Sequence, residues 1–391
     1  MKNITTFNYP LFVLGFRPFF LLAGLSGLIL IPLWFAIFIR TLVTENYYPS
    51  SYWHAHEMLL GYGSAVIAGF LLTAVKNWTG RLTLTGDKVA GLCLVWLYGR
   101  IVPFYAGLLP DVLIALTDLA FLPLLAYHVT SPIIRSKQNH NLIFTGLLLL
   151  LGFGNLLIHS EMLGLMPNTA WLGIQLVVAV VIVLILVMAG RVFPFFTERG
   201  LPGTLTIRNP QLDNASIASA VLVFGIQMLG ISGTFLALSA LLAVVINSTR
   251  IAGWYVQKIW YVPILWVLYV GYGWIILGFA LTALSAYSII QPSLSLHAFT
   301  LGGIGTLTLG MMARVALGHS GRALRASNAI AVAFVLINIA AFFRVLLPIA
   351  MPGWYQLLIY GSTLAWLAAF SLFTFVYGPI LSSKRIDGQE G

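Results

Sequence analysis

At 391 residues, the chain is 60% hydrophobic and only 8% charged, with a mean hydropathy of +0.97, a composition that excludes a water-soluble globular fold and places the chain in a membrane. Its net charge of +10 calls for no nucleic acid, because a positive-inside excess of Lys and Arg in a chain with few acids produces it. The lone cysteine, Cys93, excludes an internal disulfide, a thiolate cluster and a covalently attached c-type haem.

Apolar runs that read as membrane spans, each needing about 20 residues, follow one another at residues 19–39, 54–74, 89–109, 111–130, 142–162, 171–193, 215–229, 235–252, 261–284, 297–317, 329–347 and 355–377. They predict an all-α polytopic membrane protein of about twelve transmembrane helices, a single integral domain over residues 1–391. The longest polar stretch, 197–214, reads as a loop. Lys2 and a Phe-rich start, without a short apolar run and a small-residue cleavage site, predict a first helix that is retained. With the N-terminus inside, all but Arg40, Arg100 and Arg344 of the 20 Lys and Arg fall on the cytoplasmic side, so both termini are expected there.

Histidines mark the outer ends of several spans. The second span opens on Trp53-His54-Ala55-His56-Glu57-Met58, the fifth closes on His159 with Glu161 beyond it, and the tenth opens on His297. Ionisable groups at one depth of a bilayer are costly, and neutral imidazole is a common axial ligand of haem and a ligand of copper, so metal or haem binding is expected of His54, His56, His159 and His297. His54 and His56 diverge by about 200° around a helix and therefore belong to two different sites. His56 and His297 are expected to hold a b-type haem, while His54, with Glu57 and His159, faces a second haem or a copper. Arg100 and Arg344, deep in the third and eleventh spans, have two readings: snorkelling or pairing, for Arg100 with Asp118, and charge-assisted binding of haem propionates. Glu57 and Glu161 are the acids nearest to this layer and the expected proton donors. His128, His140 and His319 fall at the inner surface.

Internal repetition adds a second layer. At a constant offset, the segments 56–81 and 297–322 share His56/His297, Leu60/Leu301, Gly61/Gly302, Gly69/Gly310, Gly80/Gly321 and Arg81/Arg322. The stretch Arg191 to Arg199 aligns with Arg314 to Arg322, which makes helices two, six and ten equivalent members of three four-helix units near residues 1–135, 136–253 and 254–391. The outline resembles the catalytic subunit of haem-copper oxidases and nitric oxide reductases.

Several motifs together, Gly15-Phe16-Arg17-Pro18-Phe19-Phe20, Trp53-His54-Ala55-His56-Glu57-Met58, Gly69-Phe70-Leu71-Leu72-Thr73-Ala74 with Asn77-Trp78-Thr79-Gly80-Arg81, Ala189-Gly190-Arg191-Val192 and Met312-Ala313-Arg314-Val315-Ala316-Leu317-Gly318-His319, resemble the NnrS family of bacterial haem- and copper-containing membrane proteins. Lys76 departs from the pattern, standing where a proline is expected before Asn-Trp-Thr-Gly. The resemblance implies a multi-pass protein of the bacterial cytoplasmic membrane linked to nitric oxide and nitrosative stress. It implies one or two b-type haems, with copper as a further metal, and nitric oxide as the small-molecule partner. A nitric oxide reductase-like oxidoreductase would draw electrons from quinol or a redox protein. Two other functions fit the same residues: a secondary transporter with intramembrane histidines, and a non-catalytic haem sensor or scavenger of nitric oxide.

Overall fold

The computed structural model describes residues 9–389, so Lys2, counted above for orientation, lies outside the described residues. Among them there is no β-strand, and the chain runs through twelve helical segments: α1 Phe16–Phe38, α2 Ser50–Thr79, α3 Asp87–Ile101, α4 Asp111–Arg135, α5 Asn139–Met162, α6 Ala170–Gly200, α7 Pro210–Met228, α8 Thr234–Trp254, α9 Pro263–Ser285, α10 Pro292–His319, α11 Asn328–Ala350 and α12 Pro352–Ser382. Ten of these, all but α3 and α7, are long and apolar enough to cross a membrane. The chain is thus an all-α polytopic membrane protein.

The two expected spans outside that set have local reasons. Helix α3 has only 15 residues and gives way at Pro103 to the 3-10 turn Val102–Tyr105; at 1.5 Å per residue it reaches about 22 Å against a hydrocarbon thickness of about 30 Å. Helix α7 has 19 residues but carries Gln211, Asp213, Asn214 and Gln227. Helix ends follow ordinary chemistry: Gly80, at φ +65°, closes α2 in the left-handed conformation, and the Asn209 side chain accepts from the backbone N–H groups of Gln211 and Leu212 at the start of α7.

The helices sort into two compact units. The first holds the described residues through Val177, Val315–Ala323 and the described residues from Phe373; the second holds Val178–Arg314 and Leu324–Leu372. In the first unit α1 packs on α2, α2 on α4, α4 on α5, and α3 on α4. Phe16, Phe19 and Phe20 of α1 are buried without exposure. In the second unit α7 to α11 pack in succession, each on the next, around an aromatic core in which Phe299 meets Phe224 and Phe279.

Three helices contain a π-helical stretch: α2 at Glu57–Gly63, α10 at Ala298–Gly305 and α11 at Phe342–Leu346. In α2 and α10 the wide turn starts on the residue after His56 and His297 respectively. A π-bulge rotates the residues around it out of the regular helical register and is frequent at functional sites. Here the bulges lie beside two of the expected ligands, and the third contains Arg344.

Candidate metal centre

Four helices of the first unit and one loop bring polar groups to a single point. His56 ends the first α-helical part of α2 and Glu57 opens its π-helical stretch. Arg100 stands in the last turn of α3, and Asp118 lies in the first half of α4. Asn155 and His159, four residues apart, share one face of α5, and Tyr48 enters from the loop before α2. His56, Glu57, Asp118, Asn155, His159 and Tyr48 are all buried. Room for the ionic groups is made by two glycines: a Cβ on Gly61 would stand 3.0 Å from both Arg100 Nη1 and Glu57 Oε2, and one on Gly99 would stand 2.7 Å from Asp118 Oδ1.

His56 Nε2, His159 Nε2 and Asp118 Oδ2 lie within 4.8 Å of one another, a grouping able to hold a metal ion. Each imidazole Nε2 is 3.1 Å from the carboxylate oxygen. Around an ion with bonds of about 2.0–2.2 Å, neighbouring ligand atoms stand about 2.9 Å apart at octahedral and about 3.4 Å at tetrahedral angles, so these separations match a first coordination sphere. Tyr48 Oη is 3.2 Å from both Nε2 atoms, and its ring stacks on His56 with centroids 4.5 Å apart. Burial holds the Tyr48 phenol well above its ordinary value, which keeps it protonated.

Hydrogen accounting makes this point unusual. His56 Nδ1 lies 3.1 Å from Glu57 Oε1, an acceptor, and so carries a proton. Its Nε2 faces two more acceptors, Asp118 Oδ2 and Asn155 Oδ1, each at 3.1 Å. The amide is oriented by its own donor, since Asn155 Nδ2 donates to Asp118 Oδ2 at 2.7 Å. An imidazole with a bare Nε2 would aim its lone pair at both oxygens, with the Tyr48 hydroxyl the one donor beside it among the described residues; a proton or a metal ion on Nε2 turns both oxygens into partners. Charge leads to the same requirement. Arg100 donates to Glu57 Oε1 at 2.8 Å and to Asp118 Oδ1, so two carboxylates share one guanidinium in an apolar surrounding, and when both are ionised the remaining negative charge is costly without a further cation. Two imidazoles and a carboxylate are the donor set of mononuclear first-row metal sites. A porphyrin on His56 Nε2 fits poorly, because Asp118, Asn155 and Tyr48 occupy the space its plane would need. The donor set suits a single ion.

Arg100 is held by this network and in turn holds it. Its guanidinium lies 5.8 Å from the ring of Trp96, whose Nε1 donates to the Gly61 carbonyl of the π-helical stretch at 3.1 Å. Glu57 Oε2 is buried and, among the described residues, without a hydrogen-bond partner.

The other expected residues lie elsewhere. His54 stacks on Trp34 with centroids 4.2 Å apart, on a different side of α2 from His56. Glu161 accepts from the backbone N–H of Ala170 at 2.7 Å, where it serves the N-terminus of α6. His297, in the second unit, donates from Nδ1 to the Ser293 carbonyl at 2.7 Å, which makes Nε2 the lone-pair nitrogen, as in imidazoles that bind metal. The segment carrying His297 packs on the π-helical stretch with Arg344. The Arg344 guanidinium lies 5.4 Å from the ring of Tyr355, and its Nη1 is buried without an acceptor among the described residues.

Asp118 as a direct neighbour of both histidines, Asn155 and Tyr48 were not expected from the sequence. Asp118 had a signal of its own, an acid inside an apolar run, and Asn155 had the four-residue spacing to His159. Nothing in the loop around Tyr47 and Tyr48 marked it. The sequence model of the family described as NnrS protein matches residues 10–385. No curated protein matches the chain.

Proposed function

The chain belongs to the NnrS family, linked to nitric oxide metabolism, and from that premise we propose that it is a membrane metalloprotein that binds nitric oxide at the His56/Asp118/His159 point and reduces it under nitrosative stress. The observation that carries this reading is the Nε2 atom of His56, set among acceptor oxygens beside a second imidazole. His56 and His159 through Nε2, and Asp118 through Oδ2, would hold the ion, with copper or iron suited to the donors. An ion held there would supply Lewis-acid and redox chemistry to a small neutral gas.

The chain's own groups supply the rest. Arg100 fixes both carboxylates, so that Asp118 presents Oδ2 to the ligand point while Oδ1 stays on the guanidinium. Glu57 Oε2, buried without a partner among the described residues, is suited to pass a proton toward the centre, and the Tyr48 hydroxyl stands 3.2 Å from both Nε2 atoms. Reduction of two molecules of nitric oxide to nitrous oxide and water takes two electrons and two protons, which one quinol supplies, either directly or through a redox protein. The apolar helices admit nitric oxide without a polar channel. In the second unit, His297 and Arg344 are the residues that would hold a b-type haem, the buried Arg344 donor being suited to a propionate. The cytoplasmic membrane is the compartment where quinol and nitric oxide meet.

The test is metal analysis and an optical spectrum of the purified protein, followed by anaerobic addition of nitric oxide to the reduced form with nitrous oxide detection in the presence of a quinol. Metal bound through His56 and His159 and a spectral response to nitric oxide are expected. A preparation without transition metal, or a metal centre indifferent to nitric oxide, rejects the reading.

A further inference from the structure

The basic motifs that the metal centre does not use meet at one end of the first unit. Arg17 at the start of α1, Lys76 and Asn77 near the end of α2, His319 and Arg322 at the end of α10 and just beyond, and Arg385 after α12 gather there. Phe16 packs on His319 with ring centroids 5.6 Å apart, and Asn77 Nδ2 lies 3.4 Å from His319 Nε2. Arg17 stands in the repulsive field of Arg322 and Arg385, and His319 in that of Arg385, Lys76 and Arg17.

Helix C-termini satisfy part of this charge. Arg17 Nη1 donates to the carbonyls of Leu381 at 3.0 Å and Ser383 at 2.5 Å, at the end of α12, and Arg385 Nη1 donates to the His319 carbonyl at 3.3 Å, at the end of α10. Among the described residues the acid that meets the cluster is Asp387, which binds Arg385 through both oxygens at 2.9 and 2.5 Å. Its carboxylate sits over Gly321, where a Cβ would approach its Cγ to 2.7 Å. Among the described residues, four cations against this carboxylate leave a surplus. Two of their donors, Arg17 Nε and Arg322 Nη1, are buried with no acceptor among the described residues, although Arg17 is only 1% exposed. Buried guanidinium N–H groups without an acceptor are costly, and guanidinium forks match the oxygens of phosphate better than any other common group.

We infer that this end of the first unit is a binding site for a phosphate group, held by Arg17, Arg322 and Arg385 beside His319, with the Asp387 carboxylate of the C-terminal segment occupying part of the place that the anion takes. A lipid headgroup at the membrane surface and a free phosphate share the chemistry. Basic pockets at helix ends are where anionic lipid headgroups bind. The site is independent of the metal centre.

The experiment measures binding to the full-length protein in detergent by native mass spectrometry and thermal melting, with phosphatidylglycerol, phosphatidylcholine and inorganic phosphate as probes. Phosphatidylglycerol should bind and raise the melting temperature more than phosphatidylcholine. Arg322→Gln should weaken that binding about tenfold, the loss expected for one charge-assisted donor, while the exposed neighbour variant Arg325→Gln should not. Asp387→Asn should tighten binding, a change of sign that a merely misfolded variant would not give. If inorganic phosphate alone reproduces the Arg322-dependent effect, the ligand is free phosphate; if only the lipid does, it is the headgroup. Equal binding of phosphatidylglycerol and inorganic phosphate by the wild type and Arg322→Gln, or no binding of either by the wild type, overturns the site.

Discussion

Asp118→Asn is the sharpest perturbation of the proposed centre, because it changes one charge and almost no volume. Asp118 Oδ2 faces His56 Nε2 and His159 Nε2 at 3.1 Å and accepts from Asn155 Nδ2 at 2.7 Å, while Oδ1 takes the Arg100 guanidinium. An amide can keep its oxygen toward Arg100 only by turning its NH2 toward both imidazoles and the Asn155 donor. A metal then loses its anionic ligand and meets a donor in its place. Second-sphere changes alone typically cost 10- to 100-fold in metal affinity, so losing this ligand should cost at least about 100-fold, roughly 2.7 kcal/mol. The fold should lose less: Arg100 keeps its charged donor but meets a neutral acceptor in place of a carboxylate, a difference of about 1 kcal/mol. Competition with a chelator of known affinity measures the first quantity and thermal melting the second. Wild-type metal stoichiometry and affinity in Asp118→Asn would refute the assignment of Oδ2 as a ligand. A stability loss in a protein that carries no metal in either form would instead assign the cluster to a proton on His56.

Gly61→Ala should destabilise the protein by about 1–3 kcal/mol and lower metal content, since its Cβ would press on Arg100 and Glu57 at 3.0 Å, whereas Gly91→Ala, a helical position with nothing within 4 Å, should do neither; equal melting temperatures would contradict the packing argument. His54→Ala should remove the stacking on Trp34 and leave the metal bound by His56 and His159 in place, as read by metal analysis. Glu161→Gln should weaken the cap on α6 by about 1 kcal/mol without altering the response to nitric oxide; loss of that response at unchanged stability would return Glu161 to the chemistry. Arg344→Gln should lower haem occupancy relative to the wild type while metal at the His56 centre is retained, and parallel loss of both would tie the two sites together.

Composition and hydropathy made the helical membrane fold legible, and the motif block around His56 together with the intramembrane arginine Arg100 pointed to residues that the fold brings into one buried cluster of the first unit. Tertiary convergence was not legible. His56 and His159 are 103 positions apart in the numbering of the chain, and sequence periodicity says which face of its own helix each occupies but not which helices become neighbours. Helical geometry did separate His54 from His56, and the structure gives them different surroundings, Trp34 for one and the ionic cluster for the other. Periodicity assumes a regular 3.6-residue turn, so the π-helical stretches after His56 and His297 were invisible to it; the glycines at 61, 63, 302, 303 and 305 were their only trace. Tyr48 sits in a loop, where neither periodicity nor charge marks a residue, and only the fold brings its hydroxyl to the two imidazoles.

The most direct test of the central claim is the metal content of purified wild-type protein beside His56→Ala and His159→Ala, each then reduced and titrated anaerobically with nitric oxide under spectral observation. One transition-metal ion is expected at this centre in the wild type, lost in both variants together with its share of the nitric oxide response. Full metal content and an unchanged response in both variants would contradict it.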